Sequence, residues 1–304
     1  MPIRETSEVA PAKINLALHV TGQRADGYHL LDSIVTFAGE SDRLRFGPAE
    51  RDSFSLSGRF GPLLSAGAEG RDGNLVLKAR DLLREALALQ GQTTTAVAIA
   101  LEKNLPVASG IGGGSADAAA TLRGLIRFWE VTLPQETLSA LALKLGADVP
   151  MCLESRPLRA RGIGERIDRL ETMPRFGIVL ANPLKAVSTP EIFRRLTEKT
   201  NPPIDAPPQD ADRQGWLSYL ACQRNDLEPP ARAIMPEIAE ISNLLREAGA
   251  RLVRMSGSGA TCFGLFDGTA EAAEAARQIA RDHAGWFVEQ TSTMASGEFR
   301  DEQD

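Results

Sequence analysis

LPVASGIGGGSADAAATLRGLIRFW, running from Leu105 to Trp129, starts on a turn proline, passes through Gly110, Gly112, Gly113 and Gly114, and becomes an alanine-rich helix expected to open at Ser115. Glycine lets backbone amides approach a ligand closely, and a helix start leaves its first N–H groups unpaired beside the positive end of the dipole. Together these features make an anion seat, most simply one for phosphate. A glycine-rich connector is the plainer alternative, but a flexible linker rarely sits tightly between a strand and an apolar helix. The loop lacks the Gly-Lys-Ser/Thr end of a Walker A sequence. Counted from Gly110 it reads Gly-Ile-Gly-Gly-Gly-Ser, with Ser115 where a dinucleotide fingerprint has its third glycine. A different phosphate-binding architecture is required.

The 304 residues suffice for two domains, 1–155 and 156–304, with the cut placed where the texture changes beyond Met151. A hydrophobic content of 43% and a charged content of 24% are those of an ordinary globular protein. With a net charge of -6 and no basic stripe, a nucleic-acid partner is not expected. Cys152, Cys222 and Cys262 are widely separated among apolar residues, which argues against a disulfide framework and fits a reduced cytoplasm. The apolar run near the N-terminus is interrupted by Lys13 and Asn15, so it suits neither a signal peptide nor a membrane span. His19, His29 and His283 do not cluster at metal-ligand spacing, and any metal is expected to arrive with a nucleotide.

From Ala12 to Val20 the chain alternates, with Ile14, Leu16, Leu18 and Val20 on one face and Lys13, Asn15, Ala17 and His19 on the other, the period of a strand. Lys and Asn in such positions ordinarily mean a solvated face. A turn at Asp26-Gly27 then leads through Tyr28 and His29 into a second apolar run, Leu30 to Phe37, as in paired antiparallel strands. A Tyr and a His at a loop exit can stack on and hydrogen-bond a planar ring, or they can simply pack. Residues 40 to 72 read as connections around a short strand. Asn74 fits the N-cap of a helix ending before Gly91, and Thr93 to Leu101 alternates as a strand leading into the glycine loop.

After the loop helix, Gln135 to Leu145 reads as a helix closed by a left-handed Gly146, with Pro150 barring its resumption, so that Asp148 is presented from a short turn. Arg156 to Ile167 reads as hairpin material, and Ser188-Thr189-Pro190 as a capped helix start. The proline-rich stretch from Lys199 to Gln214 is expected to be a mobile loop. Beyond it, helices and strands alternate through Ser256-Gly257-Ser258-Gly259-Ala260 to a last strand near Trp286 to Gln290, an α+β pattern with a polar tail from Ala295.

Three separated motifs, Pro11-Ala12-Lys13-Ile14-Asn15-Leu16, the loop from Pro106 to Ala116, and Ser256-Gly257-Ser258-Gly259-Ala260, together resemble the GHMP kinase superfamily of small-molecule kinases. Asp26-Gly27-Tyr28-His29 and Gly146-Ala147-Asp148-Val149-Pro150 resemble the branch of that superfamily whose acceptor carries a diphosphocytidyl group on a branched erythritol. The resemblance implies an α+β, two-domain GHMP kinase fold, with an N-terminal domain like the second domain of ribosomal protein S5 and a ferredoxin-like C-terminal domain. It also implies ATP-dependent phosphorylation of the acceptor's 2-hydroxyl, giving the 2-phosphate and ADP, in the non-mevalonate route to isoprenoid precursors.

By motif match, Lys13 and Asp148 are the implied catalytic pair. Pro106, Val107, Ala108, Ser109, Gly110, Ile111, Gly112, Gly113, Gly114, Ser115 and Ala116 wrap the ATP phosphates, and Asn74 and Lys103 lie near the adenine and ribose. Asn15, Tyr28, His29, Thr189 and Phe193 hold the acceptor, with Tyr28 stacked on cytosine and Phe193 as the opposing aromatic. ATP with Mg²⁺ is the implied cofactor set, and the protein is expected to be a cytoplasmic monomer or weak homodimer with no membrane partner. Two alternatives stay open: a homoserine- or mevalonate-kinase-like GHMP enzyme, which has no need of a base-stacking Tyr-His pair, and a non-catalytic nucleotide sensor on the same scaffold.

Overall fold

Two long strands begin the computed structural model, which describes residues 5–66 and 73–296. β1 (Thr6–Gln23) pairs with β2 (His29–Pro48) across a turn in which Gly27, at a φ of 91°, donates to the Arg24 carbonyl at 3.0 Å. The expected alternation of β1 is present, but its polar face is not solvated: Lys13, Asn15 and His19 are all buried. β2 also runs on through Pro48, where a connection was expected, and carries Asp42 into the interior.

Compactness divides the chain into two units that interleave in sequence. One takes in the chain up to Ala12 with Glu40–Val107 and Gly112–Glu154, the other Lys13–Gly39, Ala108–Ile111 and the chain from Ser155 onward. β1 and β2 each contribute to both units, so no single cut reproduces this grouping.

In the first unit the later half of β2 pairs antiparallel with β4 (Val97–Glu102), and β4 pairs in parallel with β3 (Ser53–Ser57). Val97, Ile99 and Leu101 fill the interior from alternate positions, while Thr93 and Thr95 precede the strand. The helices are α1 (Gly61–Ala66), α2 (Leu75–Leu89), α3 (Gly113–Phe128), α4 (Gln135–Leu145) and α5 (Val149–Glu154). Asn74 caps α2 as expected, its side chain accepting from Val76 N at 2.9 Å. α3 opens at Gly113 rather than Ser115, because Gly112 takes the left-handed conformation at its N-cap. Its alanines are buried, and at Gly124 an added Cβ would lie 2.1 Å from Phe46 Cε2, so α3 approaches β2 too closely for any side chain there. Gly146 is extended rather than left-handed, and the chain re-enters helix at α5, whose first turn accommodates Pro150 because an N–H there has no helical partner.

The second unit holds a four-stranded antiparallel sheet in the order β10-β7-β9-β8, made of β7 (Gly177–Asn182), β8 (Leu252–Met255), β9 (Cys262–Phe266) and β10 (Phe287–Ser292). With α9 (Glu237–Glu247) between β7 and β8 and α10 (Thr269–Asp282) between β9 and β10, this is the ferredoxin-like order. α6 (Thr189–Arg194), α7 (Arg213–Ala221) and α8 (Glu228–Ile234) intervene after β7. Val179, Ala181, Ile238, Ile241, Cys262 and Ile279 share one apolar core with Leu18 and Val20 of β1. The earlier half of β2 pairs with β5 (Leu158–Gly162), which closes the expected hairpin with β6 (Arg166–Arg169).

The proline-rich stretch is pinned, not mobile. Asn201 N donates to Val20 O at 3.0 Å and Ile204 N to Asp32 Oδ2 at 3.0 Å, Arg159 donates to Ile204 O at 2.6 Å, and Tyr219 Oη donates to Asp205 O at 2.9 Å. Its partners come from β1, β2, β5 and α7, which a local reading of prolines cannot supply. Most of the polar tail, from residue 297 on, lies outside the described residues.

Candidate active site

Lys13 and Asn15 sit two residues apart on β1, on the same face, and the ammonium of Lys13 donates to Asn15 Oδ1 at 2.9 Å. Asn15 is fixed from three sides. Its Nδ2 donates to Ser33 Oγ at 2.8 Å, the Ser33 hydroxyl donates to Ala17 O at 2.6 Å, and Asn15 N donates to Ser256 Oγ at 3.1 Å. These bonds set the amide so that its oxygen faces the lysine.

The same serine ties the strand to the glycine loop, since Ser256 Oγ also donates to Gly110 O at 3.0 Å. Lys13 N donates to Ile111 O at 2.9 Å and Thr261 N to Ser109 O at 3.1 Å. Gly110, at a φ of 77°, would place a Cβ 2.5 Å from Ser256 O, and Gly257, at a φ of 54°, one 2.8 Å from Gly110 O. Both positions need glycine because two backbones meet there, whereas the sequence argument for the loop glycines, Gly110 among them, was ligand approach. Ser258 Oγ and Thr189 Oγ1 lie 2.7 Å apart, which links the Ser-Gly-Ser-Gly turn to the start of α6.

Within the loop, Pro106, Ser109 and Ile111 are buried, while Val107, Ala108 and Gly114 are exposed. At its far end the first intrahelical bond runs from Ala116 N to Gly112 O at 2.8 Å, leaving the amides of Gly113, Gly114 and Ser115 as the open donors of α3. Those donors, with the helix dipole, suit an anion.

Lys103 is not at a surface. It is 2% exposed, and its Nζ donates to Asp42 and, at 2.7 Å, to Asp117 Oδ2. Burial opposes its charge, but the Asp117 and Asp42 carboxylates outweigh that and hold its pKa above the ordinary value. Burial pushes Asp117 up to about 7 against the pull of Lys103, with the nearby Asp42 charge adding to the rise. Asn74 spends its side-chain oxygen on capping α2. Asp148 is half-buried immediately before α5, and its carbonyl accepts from Cys152 N at 3.1 Å.

Tyr28 is 60% exposed at the β1–β2 turn. His29 and Phe193 stack with ring centroids 4.6 Å apart at 25°. His29 Nε2 is buried with no hydrogen-bond partner among the described residues. Burial, and secondarily the charge of Lys199, lower the His29 pKa, which keeps the ring neutral and able to accept or donate. Residues outside the expected set of site residues complete the frame. Ser33 and Ser256 hold Asn15, and the buried Arg254 donates to Leu16 O, Leu220 O and Gln223 O beside β1. Only a strand position and a serine-rich turn hinted at any of them.

Among the described residues no helix is long and apolar enough to cross a membrane, and no group of three or more His, Cys, Asp or Glu is gathered as a metal centre. Residues 74–156 match the family model for the GHMP kinases N terminal domain, and residues 210–284 the model for GHMP kinases C terminal. The chain is 62% identical over 291 residues, 95% of its length and 97% of the relative's, to the 4-diphosphocytidyl-2-C-methyl-D-erythritol kinase of Agrobacterium fabrum. It is equally 62% identical over 294 residues to the enzyme of the same name from Rhizobium johnstonii, covering 96% and 94% of the two chains. Among solved structures, a 4-(cytidine 5'-diphospho)-2C-methyl-D-erythritol kinase superposes with a TM-score of 0.77 at 34% identity, over 94% of this chain and 98% of that one. A homoserine kinase from Cytophaga hutchinsonii, at a TM-score of 0.68 and 16% identity over 96% and 95%, shares the fold.

Proposed function

The chain belongs to the GHMP kinases, ATP-dependent small-molecule kinases, and from that premise we propose that it transfers the γ-phosphoryl group of ATP to the 2-hydroxyl of 4-diphosphocytidyl-2-C-methyl-D-erythritol, giving the 2-phosphate and ADP in the non-mevalonate pathway. The near full-length likeness to the kinases that act on that acceptor carries the reading.

Phosphoryl transfer needs alignment, stabilisation of charge on the equatorial oxygens and a route for the hydroxyl proton. The open amides of Gly113, Gly114 and Ser115 at the start of α3 would meet the phosphates, with the rest of the loop from Pro106 to Ala116 around them. Lys13, set by Asn15, would put its ammonium against the transferring group. Asp148 would accept the proton of the acceptor hydroxyl. Asn15 supports the site from beneath the lysine, as its oxygen and nitrogen are already engaged by Lys13 and Ser33. Tyr28, His29, Phe193 and Thr189 would hold the cytidylyl end, with the open Nε2 of His29 meeting a polar edge of the base. Lys103 and Asn74 would serve the nucleotide side through the backbone they fix.

Mg²⁺ would arrive on the triphosphate. Asp117, on the second turn of α3, is committed to Lys103, and Ser115 at the helix start would offer its hydroxyl to the phosphates or their ion. A cytoplasmic setting agrees with three cysteines that form no disulfide, and a monomeric or weakly dimeric state completes the proposal. Phosphorus NMR of the product tests it: a new monoester on the tertiary carbon with one ADP per turnover is expected, and hydrolysis of ATP without transfer would overturn it.

A further inference from the structure

The chain enters the glycine loop at Leu105 and leaves it at Gly113, and a buried cluster of Asp42, Lys103 and Asp117 touches both ends. Asp42 Oδ1 accepts from Asn104 N at 2.5 Å and from Leu105 N at 2.8 Å, which fixes the last residues before Pro106. Asp42 Oδ2 accepts from Lys103, and the same ammonium reaches Asp117 Oδ2 on the second turn of α3 at 2.7 Å. At the opening residue of α3, a Cβ on Gly113 would lie 3.1 Å from Lys103 Nζ and 3.8 Å from Asp42 Oδ2, so the helix start rests on the cluster. All three charged side chains are buried, and Asp117 Oδ1 has no hydrogen-bond partner among the described residues.

Such a cluster is a poor way to gain stability. Two carboxylates and one ammonium withdrawn from water cost more than their mutual attraction returns unless geometry elsewhere benefits. Here the geometry is that of a loop whose feet must keep a fixed separation for its amides to converge on one anion. We infer that Asp42, Lys103 and Asp117 are positioning residues for the phosphate loop: Asp42 holds the entry, Asp117 holds the helix, and Lys103 spans them. The inference rests on the reading of the loop as the ATP triphosphate seat.

Steady-state kinetics of Asp117→Ala and Asp117→Asn test it. Loss of the oxygen facing Lys103 in Asp117→Ala is expected to raise the KM for ATP about tenfold or more, with the acceptor KM and the kcat at saturating ATP within about twofold. Asp117→Asn keeps an oxygen toward Lys103 and is expected to restore most of the ATP affinity. Folded variants that lose thermal stability but keep the wild-type KM for ATP would overturn the inference. The wild-type enzyme supplies a measurement independent of any variant: saturating ADP is expected to slow hydrogen exchange at the Asn104 and Leu105 amides as well as at Gly113–Ser115. Protection at Gly113–Ser115 with none at Asn104 and Leu105 overturns the strap alone. No nucleotide effect at Gly113–Ser115 overturns the ATP-seat reading, and the strap with it.

Discussion

Lys13 and Asn15, on one face of β1, are joined by a 2.9 Å hydrogen bond from ammonium to amide oxygen, and the amide is held in turn by Ser33 and Ser256. A lysine on a buried strand would otherwise sample several rotamers; here its ammonium meets an amide oxygen that is itself held in place. Replacing that acceptor in Asn15→Ala removes the restraint and leaves a buried donor short of a partner, at about 1–3 kcal/mol. The expected result is a fall in kcat of about 5- to 160-fold, the same energy read as a rate. A folded Asn15→Ala enzyme with wild-type kcat would contradict the role given to this pair.

Asp148→Asn is expected to lower turnover by about 10²- to 10⁴-fold, the usual contribution of a general base, while nucleotide binding persists. Isothermal titration with ADP and steady-state rates on the same preparation separate the two effects. Near-normal turnover in the folded variant would remove Asp148 from the chemistry.

Tyr28 is exposed whereas His29 and Phe193 stack on each other, so Tyr28 has the free ring for a base. Tyr28→Ala is expected to raise the KM for the cytidylyl acceptor by about tenfold, on the scale of 1–3 kcal/mol for stacking of a base on an aromatic ring, with little change for ATP. Equal changes in both constants would make Tyr28 a packing residue.

His19 is buried, with Nδ1 3.0 Å from Pro202 O and Nε2 accepting from Arg224 N at 3.3 Å, an arrangement that suits the neutral ring with hydrogen on Nδ1. Burial lowers its pKa despite the bond to Pro202. The unfolded chain therefore binds the proton more readily, so this residue's share of stability is present above the unfolded value near 6.5 and is lost as pH falls through the lower folded pKa. Urea unfolding of wild type and His19→Gln at pH 7.5 and pH 5 checks the sign: the wild type should lose more stability on acidification than the variant does. A larger loss in the variant would reverse it.

Much of this was legible locally. Asn74 and Ser188 cap their helices through side-chain oxygens where the sequence placed them, because a cap depends on residues two or three positions away. The ferredoxin-like alternation was readable for the same reason. What the sequence hid depends on distant partners: Asp42 looked like part of a polar connection, Lys103 like a residue near the adenine and ribose with no sign of its burial, and Lys199 to Gln214 like a mobile loop. Each is buried or pinned by residues far away in the chain, such as Asp42 for Lys103 and Asp32 for Ile204. The loop glycines were read for ligand approach, but the reason Gly110 and Gly257 share, a backbone-to-backbone approach, needed the fold.

Acceptor choice is the central claim, and one set of initial rates decides it. With saturating ATP, the enzyme is offered 4-diphosphocytidyl-2-C-methyl-D-erythritol, homoserine and mevalonate at equal concentration, and ADP release is followed together with phosphate incorporation. Transfer to the diphosphocytidyl compound at a kcat/KM at least about 10³-fold above either other alcohol is the expected result, as for a site built around polar groups that the other acceptors leave unpaired. Faster transfer to homoserine or mevalonate, or transfer to none of the three by a folded, ATP-binding protein, would contradict it.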